Sequence, residues 1–114
     1  MGTENNAGEQ EGKIDLEKVV GRVRGLSPDK VEPKDCAREF ANAYAHIRMH
    51  THSEERVGAK SNLLSIAREK YRAYAAQGKE RGEMFAQEIE RASPTFYDLF
   101  CLVLRDEEAA ESRE

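Results

Sequence analysis

All three histidines of this chain fall within seven residues, at His46, His50 and His52. On a helix, imidazoles at i and i+4 converge on one point, and Asp35 and Glu39 project within ~60° of the line through His46 and His50. His46, His50 and Glu39 thus carry the donor types of a divalent-metal site. Zinc, however, wants three or four ligands fixed in position, and two helical histidines sit equally well on a solvated flank beside a core. The lack of any Glu-x-x-His pair argues against the di-iron arrangement of helical bundles. The expectation is therefore no metal and no cofactor.

Positive charge offers a second chemistry. Arg56, Lys60, Arg68, Arg72 and Lys79 recur at intervals that suggest a row along a third helix, and such a row could follow a phosphate backbone, each contact adding a salt-dependent increment. Glu54, Glu55 and Glu69 dilute it, and charge pairing one turn apart on an exposed helix explains the same residues. A helix-turn-helix can be threaded here with Gly58 as the turn and Leu64 and Ala67 inside, although Glu54 falls where a small buried residue belongs. Tyr71 and Tyr74 have the ring type that stacks on bases, yet they share an apolar stripe and read as core with their hydroxyls at the rim.

Nucleophilic catalysis finds no support. Neither Cys36 nor Cys101 stands beside a histidine in a local signature, Ser53, Ser61 and Ser65 precede no glycine elbow, and the glycines form no phosphate-cradling loop. The two cysteines have no spacing typical of a zinc knuckle or a redox pair. With no basic-then-apolar leader pattern and no apolar run near the ~18 residues of a membrane span, a reducing cytoplasm is the expected setting.

These residues must be positioned by a small scaffold. A chain of 114 residues has room for one domain. Leu, Ile, Val and Phe together supply only 21 residues, Ala is the commonest apolar type and 35% of residues are charged, which favours closely packed helices over a wide β core. The net charge of −4 is concentrated at the ends: residues 1–13 carry −2 and residues 92–114 carry −4, while residues 14–91 sum to +2.

Apolar spacing marks the elements. Leu16, Val19, Val20 and Val23 make one stripe of a helix starting near Ile14 or Asp15 and ending around Gly25, with Gly21 a weak point inside it. Ser27 and Pro28 have the form of a cap and first position, predicting a single turn before Pro33. Cys36, Phe40, Ala43, Tyr44 and Ile47 define a helix from about Lys34 to His50. Ser53 caps the next, to about Gln77, whose stripe is Val57, Leu64, Ala67, Tyr71, Tyr74 and Ala75, with Leu63 and Ile66 to one side. Phe85, Ala86 and Ile89 lie on a helix over about Lys79 to Ala92. Ser93 and Pro94 start the last helix, with Phe96, Leu99, Phe100, Val103 and Leu104 inward. No segment alternates like a strand and no internal repeat is visible. The fold class expected is all-α: one bundle of four to five helices over residues 14–105, between disordered acidic tails at 1–13 and 106–114.

The last helix carries a wider apolar stripe than a small bundle needs, because Tyr97 and Leu102 extend it sideways. Either it is the central helix, buried all round, or Tyr97, Leu102, Phe96 and Val103 form a face for another chain. The sequence thus reads as a small non-enzymatic interaction module of the cytoplasm, an adaptor or regulatory protein that binds a protein partner or its own copy as a homodimer, with no membrane. The alternative is a nucleic-acid-binding accessory protein that uses the basic row on the third helix.

Overall fold

The computed structural model describes residues 16–50 and 53–113, with side chains described for 16–50 and 54–105. The loose tail expected over residues 1–13, the helix start at Ile14 or Asp15, and His52 all lie outside the described residues. The described residues form helices α1 (residues 16–24), α2 (Pro33–Met49), α3 (Ser53–Gln77), α4 (Lys79–Ala92) and α5 (Pro94–Arg113), with no strand among them. No helix of these residues is long and apolar enough to cross a membrane.

Each boundary has a local cause. The N–H of Gly25 donates to Gly21 O and closes α1, and the N–H of Val31 donates to Ser27 O at 2.9 Å, giving the single turn that Ser27 and Pro28 announce. Pro33 opens α2 and holds Glu32 extended, since a proline ring disfavours helical backbone in the residue before it. One residue separates each of the last two pairs of helices. Gly78 donates its N–H to Tyr74 O and accepts from Arg81, and Ser93 donates to Ile89 O and accepts from Tyr97. Links this short fold consecutive helices back on one another, so that α4 packs against α2, α3 and α5.

The core is assembled from rings. Phe85 of α4 meets Phe40 of α2 edge-on at 5.7 Å, Tyr74 of α3 at 5.5 Å and Phe100 of α5 at 6.2 Å. Phe96 stacks on Phe40 at 6.4 Å and lies 5.1 Å from Tyr44, and Tyr71 meets Phe100 edge-on at 5.7 Å. Val20 and Val23 of α1 close one side.

The inward faces expected for α1, α2 and α4 agree with the burial pattern. On α3 Leu64, Ala67 and Tyr74 are buried and Tyr71 packs on the core as expected, but the ends of the stripe differ. Val57 is 60% exposed and Ala75 is exposed, while Ala59, Leu63 and Ile66 are buried. Over 25 residues α3 meets α2, α4 and α5 in turn, so no single stripe describes it. It also runs unbroken through Gly58, which removes the turn that the helix-turn-helix threading requires. The helical backbone of α5 continues to Arg113, past Asp106.

Where α3 and α4 cross, Gly82 is buried, and a Cβ built on it would stand 3.0 Å from Ala75 Cβ and 3.1 Å from Ala75 Cα. Contact with backbone leaves little room to relax. Gly82→Ala should therefore lower stability, the clash costing about 1–3 kcal/mol and outweighing the gain of about 1 kcal/mol in helix propensity. Gly21→Ala and Gly58→Ala, whose added methyls meet nothing within 4 Å, should each raise stability by about 0.5–1 kcal/mol. Urea unfolding of the three variants checks both signs.

Candidate interaction surfaces

The histidine stripe is divided among separate contacts. His50, at the end of α2, places Nε2 2.7 Å from Glu55 Oε2 on α3, and because an ionised carboxylate only accepts, that ring nitrogen carries the proton. Arg56 Nη1 donates to the His50 carbonyl at 3.3 Å. His50 thus ties the end of α2 to the first turns of α3. Glu39 is drawn to Arg22 of α1 at 3.1 Å, and His46 is exposed on the rim of an α1–α2 groove of about 360 Å³, with Val19, Asn42 and Met49. Among the described residues no three His, Cys, Asp or Glu side chains converge on a point.

The basic row is also split. At ~100° per residue, the 16 positions from Arg56 to Arg72 turn the helix by ~160° beyond whole turns, so the two cations cannot share a face. Arg56 and Lys60 instead turn toward α2. There they line a groove of about 410 Å³ with Tyr44, Ile47, Arg48 and Val57, and the Arg48 guanidinium lies 5.8 Å from the centre of the Tyr44 ring. Arg48 escaped the sequence reading, although its place four residues after Tyr44 on one helix was a usable signal. The lining of this groove holds three cations and no carboxylate. Lys79 opens α4, apart from the others. Neither tyrosine of α3 is a stacking platform: Tyr74 is fully buried with its hydroxyl donating to Val31 O at 2.6 Å, and Tyr71 is half-buried against Phe100.

On α5 the proposed partner set comes apart as well. Phe96 is fully buried on Phe40 and Tyr44, so it belongs to the core and not to a surface for another chain. Tyr97 and Leu102 stand ~140° apart around the helix, on opposite flanks. Tyr97 is half-buried; its hydrogen bond with Cys101 first, and burial second, push its hydroxyl pKa up. Leu102 is 53% exposed, and with half-buried Leu99 and Val103 it spans an arc of ~100°. On this second flank Leu102 is exposed between Leu99 and Val103, which pack on the core and keep only their outer edges open.

A buried acid fastens the scaffold under these surfaces. Glu88 of α4 accepts from Arg38 Nε of α2 at 3.0 Å, and Arg38 also lies 3.9 Å from Asp35. The Arg38 hydrogen bond holds the Glu88 carboxyl below the usual range against the cost of burial, helped by Arg91 and Lys34.

Compared with protein-family models, with curated proteins and with solved structures, the chain matches none.

Because the pKa of Glu88 is lowered by folding, its contribution is fully present above the unfolded value of about 4.3 and is lost as pH falls through the lower folded value. Replacing it by Gln removes that dependence. Thermal melts of wild type and Glu88→Gln from about pH 7 to pH 3 should show a smaller acid-induced drop in Tm for the variant. An equal drop in both would assign the acid limb to other carboxylates.

Proposed function

We propose that this chain is a small non-enzymatic interaction module of the cytoplasm, an adaptor or regulatory protein whose work is to bind another protein or a second copy of itself. The observation that carries the reading is the apolar strip of Leu99, Leu102 and Val103 along one flank of α5. Single exposed apolar residues are ordinary, whereas Leu102 is flanked by the open edges of two apolar side chains that pack on the core, and apolar neighbours grouped in this way suit an interface. Fully burying a leucine or valine contributes about 1.5–3 kcal/mol, so completing the burial of three partly covered side chains is enough to matter for association. A reducing compartment suits the two free thiols, Cys36 in the core and Cys101 half-buried.

A second reading rests on the cationic α2–α3 groove. Nucleic-acid binding there retains Arg56 and Lys60 of the original five cations and adds Arg48. Three phosphate contacts would give a log K against log salt slope of roughly −2 to −3, shallow for a protein that tracks a backbone.

Leu102→Arg tests the first reading. Because Leu102 lies outside the core, circular dichroism and Tm should be unchanged, while capture of bound chains from the native source, a second copy included, should fall by at least about tenfold for each 1.4 kcal/mol of lost contact. Equal capture by wild type and variant would overturn the reading.

A further inference from the structure

The cationic groove and the acidic end of α5 are complementary in charge, and α5 carries that end away from the groove of its own molecule. Phe96, near the start of α5, packs on Tyr44, a residue that also lines the groove. From Phe96 the helix runs away for 17 residues to Arg113, ~25 Å at 1.5 Å per residue. The far end of α5 therefore lies at the end of the bundle opposite the groove. Residues 106–112 carry Asp106, Glu107, Glu108 and Glu111 with no base among them, directly after the Leu99, Leu102 and Val103 strip. The groove offers Arg48, Arg56 and Lys60 with no acid in its lining, and its lip is Val57, 60% exposed. One half-site is thus apolar followed by negative, and the other is apolar flanked by positive.

We propose that two copies of this chain pair antiparallel, each laying the apolar strip and acidic last turns of its α5 into the cationic α2–α3 groove of the other. The pairing rests on the interaction-module reading and names its partner. An antiparallel arrangement brings opposite ends of the two bundles together, so a two-fold axis satisfies both half-sites of both copies and closes the assembly at two. The two contacts form at once, which makes the second effectively intramolecular. Charges at the rim of such a contact are screened over about 8–10 Å at physiological salt, so the pairing weakens as salt rises.

Sedimentation equilibrium over about 10–500 µM protein tests it with wild type, a groove variant (Arg48→Glu with Lys60→Glu) and a tail variant (Asp106, Glu107, Glu108 and Glu111 each →Lys). Arg56 is left in place because it holds the His50 carbonyl. Wild type should be a dimer whose Kd rises at least about tenfold between about 50 and 500 mM salt. Each variant alone should be a monomer, since acid then faces acid or base faces base. An equimolar mixture of the two should recover a dimer, because both of its contacts are again complementary, and a misfolded variant could not produce that recovery. Wild type that stays monomeric, assemblies that grow past the dimer, variants that dimerise like wild type, or a mixture that stays monomeric would each overturn the pairing. If Leu102→Arg breaks a dimer that both charge reversals leave intact, the groove pairing falls and the interaction-module reading stands. If wild type is monomeric and Leu102→Arg also changes nothing in the capture experiment, both fall.

Discussion

One phenyl ring holds the bundle together. Phe85 is fully buried and touches aromatic rings from α2, α3 and α5, so a single side chain of α4 fixes the distance from α4 to three helices. In a chain whose commonest apolar residue is Ala, large aliphatic side chains are too few to fill the space between helices, and rings supply the volume. Each edge-on or offset pair adds about 0.5–1.5 kcal/mol beyond the area it buries. Set against a typical domain stability of about 5–15 kcal/mol, a residue engaged in three such pairs is a large share of the whole. The network continues through Phe40 and Phe96 to Tyr44, at the groove, and through Phe100 to Tyr71. The position of the α2–α3 groove relative to α5 is therefore set by the same rings that make the core.

Polar ties then fix what the rings do not reach. Lys70 Nζ of α3 donates to Arg24 O at 2.9 Å, placing a cation on the carbonyl end of α1, where the helix dipole favours it. The Tyr74 hydroxyl holds Val31 O, and Gln77 donates to Asp29 at 3.1 Å, so the connector between α1 and α2 is laced along α3. Burial pushes the Cys36 thiol up, and its hydrogen bond to Tyr74 opposes that shift. Arg22 with Glu39 and Arg38 with Glu88 then fasten α2 to α1 and α4. The described turns of α1 are held by these contacts, because helices in small proteins take most of their stability from packing.

The elements were legible in the sequence wherever one face dominates and a strong stop bounds the helix. Pro33, Gly78, and Ser93 with Pro94 set boundaries that the structure reproduces, and the stripes of α2 and α4 point inward as their spacing requires. The stripe of α3 was legible through Leu64, Ala67, Tyr71 and Tyr74 but not at Val57 and Ala75, because a long helix packed by several neighbours spreads its apolar residues around the axis, and Gly58 resembled a turn although the helix runs through it. The sites failed for a related reason. A list of cations reads as a row, but 100° per residue scatters Arg56 and Arg72 to different faces, and the same arithmetic separates Tyr97 from Leu102. His50 pairs with Glu55 across a helix boundary, and Gly82 matters only because α4 crosses Ala75. Neither relation has a periodic trace, since both depend on where two helices meet.

Helix length and the angle of each residue around its axis together decide which apolar side chains stay exposed. At 1.5 Å per residue, α3 is ~38 Å long and α4 ~21 Å, so no arrangement of the two lets α4 cover α3 along its whole length. Val57 lies in the first turns of α3, beside the end of α2 at Met49, and Leu102 lies on α5 beyond Phe100, its last fully buried ring. Neither lies past the end of the packing, since Ala59 is buried two residues after Val57, and Val103 and Leu104 pack on the core just after Leu102. Each is exposed because its angle around the helix axis turns it away from the neighbours its own helix is packed on.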